Sequence, residues 1–236
     1  MKRFYKLTST KRTDEGWVIQ LDGKTAKTPS GQDLAAPSKA LAEAILAEWG
    51  AQGDQVIPDT MPLTQILITA IDKMRQRETL TKALVKYLDT DLICYRTKEP
   101  EALLKRQKET WDPWLTWFDE HFESPLEVTF TLNALKQDPD THKRIWNYIE
   151  ALDEYYFAVL EIVTSLSGSI VLSLAFLESE ASPDQVFSAM YVEEDFKSDL
   201  YHEDLHGKAP NEEKKQISAR RELKACRAFL DLVDNI

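Results

Sequence analysis

The first quarter of the chain places apolar and polar residues in short alternating runs, a pattern that predicts β-strands. Two of these runs, residues 4–8 and 17–21, are separated by a turn cluster at residues 13–16. Asp22 and Gly23 form a dipeptide favoured in type I′ hairpin turns, and it leads into a third run at residues 24–28. The runs predict a small antiparallel sheet.

From residue 38 onward the apolar residues recur every three or four positions, which is the period of an α-helix. Ser38 is placed to cap the first helix, in which Leu41, Ile45 and Trp49 share one face. A brief extended segment is predicted at residues 126–131. Further helices are predicted at residues 63–74, 79–88, 100–122, 139–152, 153–177, 183–200 and 211–233.

This change of period predicts an α+β protein with two domains. A small N-terminal antiparallel sheet with helices, residues 1–75, precedes a multihelical all-α C-terminal domain, residues 76–236. The 236 residues, 43% of them hydrophobic, are enough to give both parts a core.

The longest apolar run, residues 157–177, has the length of a membrane span. It contains Glu161 and Gly168, however, and its flanks are acidic where a membrane span would have cations. Ser165, Ser169 and Ser173 recur every four residues, a stripe of small side chains that lets another helix approach closely. We therefore expect a buried central helix and no membrane span.

The charge of the chain narrows the choice of partner. There are 40 acidic and 29 basic residues, which gives a formal net charge of -11. This charge favours solubility and repels a phosphate backbone, so no nucleic-acid partner is expected. A partner surface is expected to be neutral, hydrophobic or basic.

The two cysteines, Cys94 and Cys226, lack metal-ligand spacing and have apolar neighbours, which predicts buried, reduced thiols. The N-terminal residues contain no apolar signal region and no visible transit peptide. The expected location is the bacterial cytoplasm or, for a processed eukaryotic chain, the mitochondrial matrix. The free protein is expected to be a monomer.

A metal site is the most specific chemical hypothesis that the sequence offers. His202 and His206 are four residues apart with carboxylates between them, so on a helix they can face the same way and bind zinc. Gly207 and Pro210 end this segment at once, and a solvated helix terminus is the alternative that we favour.

Asp89 and Asp91 flank Thr90, and two such carboxylates suit Mg²⁺. Nothing downstream resembles a phosphate-binding loop, so a helix stop followed by a cap is the preferred interpretation. The glycine-rich nucleotide motifs, the serine-hydrolase elbow and a defensible Cys–His or Ser–His pairing are also missing from the sequence. We therefore predict a protein that is not an enzyme and has no cofactor.

The tryptophans are interpreted first as core residues. Trp111, Trp114 and Trp117 recur every three positions within one broad helical stripe, which favours packing over a ligand box. Trp49 continues the apolar face of its helix and is a core candidate first and a contact residue second.

Glu193 interrupts an apolar pattern. On a continuous helix from Val186, at about 100° per residue, it returns to within roughly 20° of that valine, where an apolar residue is expected. One explanation is an internal ion pair with Arg220 or Arg221, because a lone buried charge costs several kcal/mol.

The other explanation is a docking site that a cation of a partner completes. The neighbours of the glutamate, namely Tyr191, Glu194, Asp195 and Phe196, make its surroundings both acidic and aromatic. Spacing alone leaves the two explanations equal.

Several strings carry a family resemblance. In order, they are RFYK, GWVIQLDGKTAKTP, ALAEAILAEW, MPLTQI, KYLDTDLICYR, WDPWLTWF and VEEDF. Their order and spacing resemble the motifs of the ATP synthase α-subunit assembly-factor family over nearly the whole chain. The chain departs from the family at Tyr201 and His202, where members usually have Trp-Gly, and residues 201–213 diverge.

The resemblance implies a chaperone that binds the free α subunit of the F-type ATP synthase. It would cover the surface that α later buries against β, and leave before the hexamer closes. Glu193 matches a functionally important glutamate of the family and Trp49 matches a family tryptophan. The expected partner-binding residues are Glu193, Glu194, Asp195, Trp49, Tyr191 and Phe196.

Two other functional classes stay open. One is a metal-dependent hydrolase that uses His202, His206 and the nearby carboxylates. The other is a general hydrophobic-surface chaperone without a fixed client.

Overall fold

The protein has an α+β fold, as the sequence predicts. A computed structural model describes residues 1–200 and 210–234. Its strands are β1 (Thr8–Thr13), β2 (Gly16–Leu21), β3 (Lys24–Thr25) and β4 (Ala35–Ala36). Its helices are α1 (Lys39–Gly50), α2 (Pro62–Lys73), α3 (Arg77–Val85), α4 (Glu101–Phe122), α5 (Pro139–Ala151), α6 (Glu154–Ser167), α7 (Ile170–Leu177), α8 (Pro183–Met190), α9 (Val192–Leu200) and α10 (Pro210–Val233).

The chain forms two compact units. The first contains Met1–Arg77, Asp153–Val159 and the described residues from Lys224 onward. The second contains Glu78–Leu152 and the described residues of Leu160–Leu223. The division of the chain into domains at residues 1–75 and 76–236 stays a prediction.

The sheet of the first unit is antiparallel, with β2 at its centre. β1 pairs with β2 from Thr8 opposite Leu21 to Thr13 opposite Gly16, and β3 and β4 also pair with β2. The β2–β3 connection has positive φ at Asp22 (49°) and Gly23 (77°), which confirms the predicted type I′ turn.

The predicted strand at residues 4–8 is wrong, because β1 begins only at Thr8. The carboxylate of Asp22 accepts hydrogen bonds from the backbone N–H groups of Lys6 (3.0 Å) and Leu7 (2.8 Å). Those N–H groups are therefore paired with a side chain instead of a neighbouring strand. The third strand is also shorter than predicted, since β3 ends at Thr25.

Two polar side chains, the hydroxyl of Ser38 and the carboxylate of Glu48, cap the helices α1 and α2 of the first unit. The hydroxyl of Ser38 accepts from the N–H of Leu41 (3.0 Å), as predicted, and donates to the carbonyl of Leu232 (2.5 Å). The half-buried carboxylate of Glu48 accepts from the N–H groups of Leu63 and Thr64, each at 2.8 Å, so it caps α2.

The core of the second unit surrounds α7, all of whose residues are buried. The predicted single helix at residues 153–177 is two helices, because Gly168 adopts a left-handed conformation (φ 68°) and ends α6. Ser169 then caps α7, its hydroxyl accepting from the N–H of Leu172 at 3.1 Å. No helix in the described part of the chain is long and apolar enough to cross a membrane.

The predicted helix at residues 183–200 is also interrupted. α8 ends at Met190, Tyr191 leaves the helical conformation (φ -109°, ψ 15°), and α9 begins at Val192. The angular counting that related Glu193 to Val186 therefore does not apply, because the two residues belong to different helices.

Both cysteines are buried, as predicted, and neither forms a disulfide. Burial raises the pKa of the Cys94 thiol, and the nearby Asp91 carboxylate adds to the rise. Cys94 is therefore an unreactive core residue.

Asp91 is fully buried and caps two helical segments at once, which confirms the capping interpretation. One carboxylate oxygen accepts from the N–H of Ile93 (3.2 Å), at the start of a 3₁₀ turn, Leu92–Cys94. The other accepts from the N–H of Val171 (3.1 Å), in the first turn of α7. These hydrogen bonds lower the pKa of Asp91, but burial has the larger effect and raises it from 3.8 to about 6.

The pKa of Asp91 predicts a specific pH dependence. Because the folded pKa (about 6) exceeds the unfolded value (3.8), the proton on Asp91 stabilises the fold at low pH, and this contribution is lost as the pH rises through 6. Relative to Asp91→Asn, which cannot titrate, the wild type should lose about 2 kcal/mol of unfolding free energy between pH 4 and pH 6.

Chemical denaturation of both proteins across this pH range measures the difference, and all other titrating groups cancel in the comparison. A difference that stays constant, or that moves in favour of the wild type as the pH rises, would contradict the raised pKa.

Candidate functional site

Five of the six expected site residues lie on or beside α9, in the second unit. α9 carries Glu193, Glu194 and Asp195 in its first turn, where negative charge interacts favourably with the helix dipole. Tyr191 precedes the helix, and its ring lies against that of Phe187 with the centroids 4.7 Å apart. The structure therefore places acidic and aromatic side chains together at the N-terminal end of α9.

Glu193 is half-buried and is held by an uncharged partner. Its carboxylate oxygen Oε1 accepts from the side-chain Nε2 of Gln107 at 2.7 Å. Gln107, on α4, is fully buried, and its own Oε1 accepts from the backbone N–H of Thr97 at 3.0 Å. The glutamate is thus fixed in position, and among residues 1–200 and 210–234 its carboxylate forms no ion pair.

The internal ion pair considered for Glu193 is not formed. Arg220 instead bonds the Oδ1 of Asp184 at 3.1 Å, and its guanidinium carbon lies 3.7 Å from the centre of the Phe187 ring. Arg221 is exposed. Neither arginine therefore pairs with Glu193, whose carboxylate is bonded by Gln107.

A second polar contact fixes the far end of α9. Arg106, one residue before Gln107, bonds the Oδ2 of Asp199 at 2.7 Å. Its guanidinium carbon also lies 5.4 Å from the ring centre of Phe196, a cation–π contact. Consecutive residues of α4 therefore hold both ends of the acidic helix.

Glu194 differs from its neighbours in being exposed. Within residues 1–200 and 210–234 it accepts no hydrogen bond and forms no ion pair. Burial raises the pKa of the Tyr191 hydroxyl, and the negative charges of Glu194 and Asp195 raise it further. The charge of Glu194 is therefore unpaired among the described residues and lies close to the neutral phenol of Tyr191.

Trp49, the sixth expected residue, lies in the first unit and is half-buried. Its ring meets that of Tyr5 edge to face, with centroids 5.4 Å apart, and its carbonyl accepts from the Tyr5 hydroxyl at 2.8 Å. It packs against the small core cluster of Tyr5, Leu21, Val56 and Met61. The indole Nε1–H is buried and has no acceptor in the described part of the chain.

The three tryptophans of α4, which were interpreted as core residues, differ in how deeply they are buried. Trp111 is buried, and its indole N–H donates to the carbonyl of Ala189 at 2.9 Å. Trp114 and Trp117 are half-buried.

The structure describes only one of the two metal sites considered from the sequence. His202 and His206 lie outside the described residues. Asp91 caps helices, as described above. The carboxylate of Asp89 accepts from the N–H of Gln137 at 2.9 Å and lies 3.2 Å from the Nε2 of His142. Among the residues that the structure describes, no group of three or more His, Cys, Asp or Glu side chains could hold a metal ion.

Gln107 and Arg106 are site residues that the sequence analysis missed. A signal for Gln107 was present, because it lies four residues from both Leu103 and Trp111, on the buried stripe of α4. A polar residue at an apolar position indicates a buried polar partner. The partner itself is 86 residues away and could not be identified from spacing.

Comparison with known proteins places the chain in a family. Residues 2–119 match the sequence model of the ATP12 chaperone protein. The mitochondrial protein atp12 of Schizosaccharomyces pombe is 30% identical over 244 residues, covering 95% of this chain and 82% of the relative.

Solved structures agree with this assignment. Atp12 from Paracoccus denitrificans superimposes with a TM-score of 0.88 at 28% identity, covering 98% of both chains. The Atu1473 protein of Agrobacterium tumefaciens has a TM-score of 0.89 at 28% identity, covering 99% of this chain and 86% of the other. The chain belongs to the ATP12 chaperone family, whose members act in ATP synthase assembly.

Proposed function

We propose that this chaperone binds the free α subunit of the F-type ATP synthase and covers its β-facing surface until the hexamer forms. Membership of an assembly-chaperone family supports a protein client, and the motif resemblance described above supports α as that client. The proposal requires no catalytic step, cofactor or metal.

The observation that carries the proposal is the acidic surface of α9. Within the described residues, Glu193 is fixed by Gln107 without a countercharge, and the exposed Glu194 has no partner. Two such carboxylates are suited to a client that supplies a cation, because complementary charge gives orientation and specificity. Tyr191 and Phe196 add apolar contact area beside the charges.

Asp195 is half-buried in the same turn and completes the set of charges that α would meet. Trp49 is proposed as a separate contact, made by the first unit. The role of each of these residues in binding follows from the proposal and is open to substitution tests.

The first test reverses the charge at Glu193. Glu193→Lys should weaken binding to purified α by about 2–5 kcal/mol, because a lysine would meet the cation that the glutamate is proposed to bind. Isothermal titration calorimetry measures the affinity, and thermal unfolding checks that the variant is folded.

Glu120→Lys is the matched control, since Glu120 is an exposed residue of the same unit with no partner in the described structure. It makes the same change of net charge and should bind normally. A well-folded Glu193→Lys protein with normal affinity would show that the residue is not part of the site. Equal losses of affinity in both variants would show that only the net charge of the protein matters.

A second test separates the charge of Glu193 from its position. Glu193→Gln keeps an oxygen for the Nε2 of Gln107 but removes the charge, so it should leave the melting temperature almost unchanged and still weaken α binding. If the variant binds α normally, then α recognises this residue through hydrogen bonding and shape and not through its charge.

A third test addresses Gln107. Gln107→Leu fills the buried space but leaves the N–H of Thr97 and the carboxylate of Glu193 without their partner, which should cost about 1–3 kcal/mol of stability. Because Glu193 is then free to rotate, affinity for α should fall as well. Loss of stability with unchanged affinity would show that fixing the glutamate does not matter for binding.

A further inference from the structure

The first unit contains a groove that the acidic surface does not involve. Its volume is about 420 Å³, and it lies between the N-terminal segment, the β2–β3 hairpin and the end of α1. We call it the Trp49 groove. Its lining residues that bear on the argument are Phe4, Tyr5, Leu21, Asp22, Lys24 and Trp49.

The groove has an apolar base and an exposed aromatic side chain beside it. Tyr5 and Leu21 are buried, and Trp49 is half-buried against them. Phe4 meets the ring of Tyr5 edge to face at 5.4 Å but remains 63% exposed. A large side chain left open to water next to a cavity marks a surface that a ligand can cover.

The indole N–H of Trp49 is a donor in need of an acceptor. The atom is covered by protein and pairs with no group in the described residues. A buried donor without a partner is destabilising, and a ligand that brings an oxygen removes this penalty. Trp49 lines the groove but its Nε1 is covered by protein, so such a ligand reaches the atom after a shift of the side chains around it.

The charged side chains that line the groove are two lysines, Lys24 and Lys27, and one aspartate, Asp22, whereas the whole chain has a net charge of -11. Lys24 is exposed and has no ion-pair partner in the part of the chain described. The carboxylate of Asp22 accepts from the N–H groups of Leu7 and Lys6, and these hydrogen bonds, together with the nearby charges of Lys6 and Arg3, lower its pKa. Lys27 is paired with Asp33, so Lys24 is the lysine of this rim that has no ion-pair partner among the described residues.

We propose that the Trp49 groove binds an extended segment of the client that has a large apolar side chain followed by an acidic residue. The apolar side chain covers Phe4 and Tyr5, a backbone carbonyl of the segment accepts from the Trp49 indole, and the acidic residue pairs with Lys24. This inference rests on the proposed function for the identity of the client, and it adds a second contact of opposite charge to the acidic surface of α9.

The first arm of the test uses purified α subunit. Phe4→Asp and Lys24→Glu should each reduce affinity about tenfold, and Trp49→Phe, which keeps the ring but lacks the N–H, about fivefold. The matched control is Leu7→Asp, because Leu7 is 73% exposed but does not line the groove. Thermal unfolding of each variant identifies losses that come from folding.

The second arm does not depend on α. A blocked peptide with one leucine followed by one glutamate is titrated at millimolar concentration, and the indole N–H signal of Trp49 is followed by ¹H–¹⁵N NMR. The signal is assigned by its absence from Trp49→Phe. It should move downfield on titration, and a peptide with lysine in place of glutamate should move it less.

The outcomes separate the two proposals. A wild type that fails to bind α, but whose Trp49 signal shifts with the peptide, overturns the proposed function and supports the groove. Normal α binding by well-folded Phe4→Asp and Lys24→Glu proteins overturns the groove as a client site. A Trp49 signal that does not move at saturating peptide, or that moves equally with both peptides, contradicts the assigned chemistry.

Discussion

A single buried carboxylate holds the centre of the second unit together. Asp91 accepts hydrogen bonds from N–H groups of the turn at Leu92–Cys94 and of the first turn of α7, so one side chain caps two helical segments. The N–H of Leu92 also donates to the carbonyl of Gly168 at 3.0 Å, at the break that precedes α7. The entirely buried helix α7 can begin inside the core because the carboxylate of Asp91 and the hydroxyl of Ser169 accept hydrogen bonds from N–H groups of its first turn.

The predictions that succeeded depend on local chemistry. Ser38 caps α1 and Asp22-Gly23 makes its turn because both effects operate within a few residues. The errors occurred where a distant side chain decides the backbone conformation. The apolar sequence of α6 and α7 reads as one helix, and the break at Gly168 is stabilised by Asp91, far away along the chain. Likewise, residues 6 and 7 do not form a strand, since Asp22 takes their N–H groups.

The acidic residues around Glu193 lie together on α9, but the helical counting that singled out Glu193 was wrong. Glu193 was identified by counting turns from Val186 along one helix, whereas the chain changes direction at Tyr191. What keeps the glutamate half-buried is Gln107, a residue of α4 that no local spacing relates to it. A polar residue in an apolar stripe is visible in a sequence, but the identity of its partner requires the fold.

Because the hydrogen-bond partner of Glu193 is uncharged, the glutamate also affects the rate at which a client associates. An arginine or lysine in place of Gln107 would cancel the field of the glutamate at short range, whereas an amide leaves that field to extend into solvent. Long-range attraction of this kind accelerates encounters with a cationic surface and is screened over about 8–10 Å at physiological salt. If α is the client, its capture should therefore become slower as ionic strength rises, while the lifetime of the complex, set by short-range contacts that salt screens little, changes little.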